Sequence, residues 1–241
     1  METSNAIDVS DLNLEIRLLW KNAIQSKKWP KDLNRFWPHQ HPEDIKPHSL
    51  VFVGMNPAYT KADEQKMGEI EISENDISDL LDENTRSKYC KDMEPAKTSY
   101  GKHFVEIYKG TKFDDKKIYL DLFCVKSTNQ NIVKDALGIN NTFTEFAGKQ
   151  IEIFMKLLKR IEPAIIIVPN ACASRILLEQ LKEYDLSSES PEDDGSQTII
   201  LDGEKIPIFF CGMLDGQHAM DTFSRQRLIN QVRNKIANLD V

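Results

Sequence analysis

The sequence predicts an α/β protein: three layers, α/β/α, around a central, mostly parallel four-stranded sheet. Three observations predict it. Short unbroken apolar runs, such as Leu50–Val53 and Ala164–Val168, recur along the chain, and runs of that length bounded by turn residues read as buried strands. Between them lie longer stretches with apolar residues at helical spacing. Strands and helices therefore alternate, the pattern of a parallel sheet covered by helices on both faces. The 241 residues suffice for a full core without staples. They read as a single domain, 1–241, with an N-terminal helix and connector over 1–48 and an acidic insertion over 61–98.

Residues 1–9 read as a tail. Ser10 caps a helix from Asp11 to about Ser26, with Leu12, Ile16, Leu19, Trp20 and Ala23 on one face. The connector after it carries Trp29-Pro30, Phe36-Trp37-Pro38-His39 and His41-Pro42, aromatics read as packing anchors. The first core strand is Leu50–Val53. From Lys61 to Asp92 the chain is acidic, with Glu64, Glu69, Glu71, Glu74, Asp76, Asp79, Asp82 and Glu83. Ser73–Leu81 fits a short helix in it, and the rest reads as a solvated excursion or a lid over the preceding turn. A short helical pattern covers Phe104–Lys109. Lys117–Val125 reads as the second core strand, followed by a polar loop over Lys126–Asn131.

Thr144 caps a helix over Glu145–Ile161 with Phe146, Ile151, Phe154, Leu157, Leu158 and Ile161 inward. Ala164–Val168 is the third strand, apolar as a central parallel strand is. The next helix covers Ala171–Glu183 with Ile176, Leu177 and Leu181 inward, and residues 185–198 form a loop. Thr198–Leu201 and Lys205–Pro207 read as a hairpin about Asp202-Gly203. Ile208–Cys211 is the fourth core strand. The last helix runs from about Asp221 to Leu239 with Phe223, Leu228, Val232 and Ile236 inward.

Composition bounds the function. Apolar residues make up 40% and charged residues 29% of the chain, and the formal net charge is −7. That balance suits a soluble protein and opposes non-specific binding to polyanions. The cysteines are Cys90, Cys124, Cys172 and Cys211. Their spacing gives no zinc or iron–sulfur signature, so no metal and no cofactor is expected. Three of them adjoin apolar runs and read as small buried hydrophobes in a reducing compartment. With no leader pattern and no apolar run of spanning length, the expectation is a cytoplasmic protein without a membrane partner.

The chemistry centres on Gly54-Met55-Asn56-Pro57-Ala58. Gly54 allows a sharp turn and a close approach. Pro57 biases Asn56 away from helix. An amide is thus held on a stiff turn at the carboxyl end of a buried strand, where open α/β sheets bind ligands. The bland reading is a turn and nothing more. Asp121 is the one charge inside the second strand. A carboxylate amid apolar surface is costly unless paired, so it is either a satisfied strand-end group or a functional one.

These parts resemble the uracil-DNA glycosylase superfamily over roughly residues 48–240. Gly54-Met55-Asn56-Pro57 is similar to its first motif, in which an Asp or Asn positions the hydrolytic water; Asn matches its mismatch-specific and single-strand-selective branches. Tyr100-Gly101-Lys102-His103-Phe104 falls where the family carries its pyrimidine-stacking aromatic. Tyr119–Phe123 falls where uracil-specific members read the base with an Asn. Ala171 and Ser174 follow in order. The resemblance implies a uracil-DNA glycosylase-like fold and a DNA N-glycosylase that removes uracil or a related deaminated or mismatched base. It implies Asn56 and His218 as catalytic residues. It implies Gly54, Met55, Pro57, Phe104, Asp121 and Phe123 around the base, and Ser99, Lys102, Ser127, Asn170 and Gln217 on DNA.

The departures are specific. Position 121 is Asp, which accepts from a ring N–H but, ionised, does not donate to a carbonyl. The family's His-Pro-Ser loop is replaced by Met213-Leu214-Asp215-Gly216-Gln217-His218, so His218 either substitutes for the family's His or is a surface helix residue. Ala58 and Tyr59 replace the Tyr-His of the most active branch. Phe123 also reads as core, and Asn170 and Ser174 as caps. A second reading is therefore an inactive relative that binds a nucleobase, a nucleotide or a protein. A third is another α/β enzyme; no Gly-x-Ser-x-Gly elbow and no Gly-rich phosphate loop speak for it.

Overall fold

The structure, a computed structural model, describes residues 6–25, 37–38, 41–57, 101–127, 129–186, 191–215 and 219–239. The acidic insertion, Cys90, Ala58 and Tyr59 lie outside the described residues. In chain order the elements are α1 (Ser10–Gln25), β1 (Trp37–Pro38), β2 (Leu50–Gly54), α2 (Lys102–Tyr108), β3 (Lys117–Asp121), β4 (Val125–Lys126), α3 (Gln130–Leu137), α4 (Glu145–Ile161), β5 (Ile165–Pro169), α5 (Ala171–Glu183), β6 (Gln197–Leu201), β7 (Glu204–Cys211) and α6 (Thr222–Ala237).

The central sheet has five strands in the order β3-β2-β5-β7-β6. The first four are parallel, and β6 adds antiparallel to β7 at the edge. The expected count of four becomes five because the second arm of the hairpin and the fourth core strand are one continuous strand, β7. The second strand, expected through Val125, ends at Asp121. The chain then bends, and Val125–Lys126 pairs with Trp37–Pro38 in a separate antiparallel ribbon.

Period-two alternation sorts the strand side chains onto two faces. Val51, Val53, Ile118, Leu120, Ile166 and Val168 pack under α1, α3, α4 and α5. Leu50, Phe52, Ile165, Ile167 and Phe209 pack under α2 and α6. Strand β5 is buried along its whole length, as a strand flanked on both sides and covered on both faces must be.

Helix α4 begins at Thr144, whose hydroxyl accepts from Ala147 N at 3.2 Å, and all six of its expected inward residues are buried. Helix α5 has the expected bounds. Helix α3 falls partly in the expected polar loop. Asn129 Oδ1 caps it by accepting from Asn131 N and Ile132 N, and Gly138 closes it at φ 72°. Phe223, expected inward, is 82% exposed. Asp221 caps α6 through the Phe223 and Ser224 N–H groups. Five residues before Leu228, at about 100° per residue, Phe223 sits about 140° away from the buried stripe.

The helix leading into β3, α2, lies on one face of the sheet, and the helix leaving β5, α5, lies on the other. The strand order therefore reverses between the adjacent strands β2 and β5, and open α/β sheets bind ligands at the carboxyl ends of the strands beside such a point.

Candidate functional site at the carboxyl end of β2

Beyond the last residues of β2 and β3 the two chains run on side by side. Leu122 N donates to Gly54 O and Phe123 N to Met55 O, each at 3.0 Å, and Ser127 N donates to Pro57 O at 2.9 Å. This holds the turn at 54–57 against the loop at 122–127. Asn56 fastens the two. Its Nδ2 donates to Ser127 O at 2.8 Å, Pro57 O at 3.1 Å and Val125 O at 3.2 Å. With both amide protons committed to backbone carbonyls, the side chain cannot flip, and Oδ1 is the one atom it has to offer. That oxygen is buried and has no hydrogen-bond partner among the described residues. An unsatisfied buried acceptor costs about 1–3 kcal/mol, so the position calls for a donor beyond the described residues.

The loop that receives Asn56 is itself held from behind. Gln150, buried on α4, accepts from Cys124 N through Oε1 at 2.6 Å. Ser127 is buried, and its Oγ accepts from Asn129 N at 3.2 Å.

Asp121 is the register partner of Gly54. Its carboxyl lies over the glycine: a Cβ added at Gly54 would sit on Asp121 Oδ1, closer than real Cβ contacts come. The missing side chain of Gly54 is therefore what gives the carboxyl its place. No hydrogen bond reaches that carboxyl from the described residues. Burial pushes it up to about 7, and the charge of nearby Lys126 acts against the rise. Two residues back on the same face, Phe52 and Tyr119 stack with centroids 5.0 Å apart, and Phe104 meets Phe52 edge to face at 5.0 Å. The acidic group thus crowns an aromatic layer.

The structure brings Gly54, Met55, Asn56, Pro57, Asp121 and Ser127 together at this edge. Phe104 is 5% exposed and spends its faces on Phe52 and Tyr119. Phe123 is fully buried on the opposite face, edge to face with Phe143. Neither ring is an open platform. Asn170 caps α5, accepting from Ala173 N at 2.9 Å. Ser174 Oγ donates to Val168 O at 3.0 Å. Lys102 is exposed at the start of α2. Ser99, Gln217 and His218 lie outside the described residues.

A second constellation at the same end of the sheet went unread in the sequence. His103, in the first turn of α2, has Nδ1 3.1 Å from Glu106 Oε1 and Nε2 3.5 Å from Asp215 Oδ1, in the loop after β7. His103 N also donates to Asp215 Oδ2 at 3.4 Å. The imidazole pins the β7 loop to α2. Sequence offered only weak signals for it, since His103 and Asp215 stand 112 residues apart. Gln150 had a clearer one: a polar residue on the inward face of an amphipathic helix.

Two of the described thiols, Cys124 and Cys211, are kept protonated by burial. Burial pushes Cys211 up to about 12 and raises Cys124 as well. Among the described residues no group of three or more His, Cys, Asp or Glu side chains is placed to hold a metal ion, and no helix is long and apolar enough to cross a membrane. No protein-family model matches the chain, and comparison with curated protein sequences gives no significant match.

Proposed function

We propose that the protein is a DNA N-glycosylase-like hydrolase that removes a damaged or mismatched base, the class to which uracil belongs. One observation carries the reading: the amide of Asn56 is locked by three backbone carbonyls, so that its oxygen, without a hydrogen-bond partner among the described residues, is held in a fixed place at the carboxyl end of β2. Base hydrolysis needs few protein groups. Asn56 Oδ1 accepts a hydrogen bond from a water and so aims its oxygen at the sugar C1′. The C1′–O bond forms, the C1′–N bond breaks, the base leaves with the electron pair, and the proton lost by the water passes to solvent or to the departing base. No strong base is required where the departing base is a stable anion, since a sugar with cationic character draws in the water. Fixed orientation of that water is the main contribution such a site makes.

The target base has to leave its stack to reach this edge. Among the DNA-contact candidates that the structure describes, Lys102 is exposed, whereas Ser127 and Asn170 are committed to local hydrogen bonds. With a net charge of −7, binding depends on local contacts rather than on long-range attraction.

The test is a single-turnover assay with excess protein. The substrates are labelled single- and double-stranded oligonucleotides carrying uracil, hypoxanthine, xanthine, a mismatched thymine or 8-oxoguanine. The expected result is alkali-labile strand breakage that falls at least about a hundredfold in Asn56→Ala, in the range seen when one positioning group is lost. No product from any substrate, with a cooperative melt showing the protein folded, would turn the reading to a nucleobase-binding module.

A further inference from the structure

Two groups at the β2 edge have no hydrogen-bond partner among the described residues, and they are of one kind. Asn56 has spent both amide protons and presents only an acceptor. Asp121 carries a carboxyl that accepts no hydrogen bond from the described residues, seated in the space where Gly54 lacks a side chain. An ionised carboxylate is acceptor-only, and its two oxygens match a pair of adjacent donors. Resting on the reading of this edge as a base site, we infer that Asp121 is the base-reading residue and that it selects a guanine-type edge, a ring N–H beside an exocyclic amino group.

The alternatives fail on the same chemistry. Hypoxanthine offers only a C–H where guanine has its amino group and leaves the second carboxylate oxygen without a donor. Uracil and thymine place a carbonyl beside the ring N–H, so that oxygen would face another lone pair. Adenine and cytosine place an unprotonated ring nitrogen beside the amino group, with the same result. Guanine and its lesions that keep the 2-amino-6-oxo edge offer two donors side by side. A bidentate match of this sort discriminates by about 1–3 kcal/mol, roughly fivefold to a hundredfold.

The site also predicts a sign with pH. The carboxyl must be ionised to accept both donors, and burial holds it near 7 in the free protein. Affinity for a guanine-type edge should therefore rise by about tenfold between pH 6 and pH 8 as the competent form becomes populated. A site that used the protonated acid to donate to a carbonyl would show the opposite slope.

The experiment measures binding of guanosine, inosine and uridine, and of short single-stranded oligonucleotides carrying one such base among abasic residues. The proteins are wild type and Asp121→Asn, each checked by a thermal melt. Inosine differs from guanosine only by the 2-amino group. The expected result is a guanine preference of about tenfold or more that grows with pH in the wild type. In Asp121→Asn, whose amide both donates and accepts, the preference should be lost, because guanosine and inosine share the ring N–H and 6-carbonyl that an amide matches. No guanine preference in either format, or one unchanged in Asp121→Asn, overturns the inference. It is separable from the excision reading. Guanine binding that depends on Asp121 without strand breakage upholds this inference and removes excision. Breakage at uracil that ignores Asp121→Asn does the reverse.

Discussion

At the scale of single residues, the site centres on groups that have no hydrogen-bond partner among the described residues. Asp121 shows what this costs. Its carboxyl is raised by burial from 3.8 to about 7, so between those values the folded chain binds more protons than the unfolded chain. Stability contributed at this position is therefore greatest at low pH, falls as pH rises through the folded value, and is flat above it. Asp121→Asn removes this slope. Denaturant titrations at about pH 5 and about pH 8 check it: the variant should gain about 1–3 kcal/mol on the wild type at the higher pH, where only the wild type has to hold an ionised carboxylate at this position, and less at the lower. Parallel behaviour at both pH values would mean that the carboxyl is satisfied. Asn56 and Asp121 were both legible in the sequence, one from the Gly-Met-Asn-Pro turn and the other as the single charge in an apolar strand. The spatial relation of Asp121 to Gly54 was not, since it depends on strand register across 67 positions that no local pattern fixes.

At the scale of elements, the turn is only as firm as what stands behind it. Helix α4 hydrogen-bonds the loop at 122–127 through Gln150, and that loop supplies two of the three carbonyls that lock Asn56. Gln150→Leu fills similar space but orphans Cys124 N. The expected cost is about 1–3 kcal/mol in denaturant titration, with a loss of activity larger than the stability change alone explains at a temperature where the variant stays folded. A loss of stability with full activity would separate the loop from the site. Helices α4 and α5 could be placed from the sequence to the residue, because strong periodicity coincided with a capping Thr144 or Asn170 and a stop. Helix α3 was missed although Asn129, the Val133, Ala136 and Leu137 spacing and Gly138 announce it. Its polar first turn resembled the loop before it. Phe223 was misplaced because helix phase drifts quickly near a cap.

At the scale of the whole molecule, the layered sheet and its switch point explain why a short turn at 54–57 carries so much. Strand β2 lies between β3 and β5, covered on both faces, so its carboxyl end is a rigid place from which to present an amide. Parallel architecture was legible from apolar runs alternating with helices. The fifth strand was not counted, because a hairpin arm and a core strand share one continuous stretch, Glu204–Cys211. The central claim is that this edge is a base site in which Asn56 acts on the water and Asp121 chooses the base. One measurement tests it most directly: single-turnover base release by wild type, Asn56→Ala and Asp121→Asn across the same panel of oligonucleotides. The account predicts that Asn56→Ala slows every substrate alike, by about a hundredfold or more, while Asp121→Asn reorders the substrates and leaves the fastest within about tenfold of the wild type's best. Retained release in Asn56→Ala, or uniform slowing in Asp121→Asn with the order of bases unchanged, would contradict it.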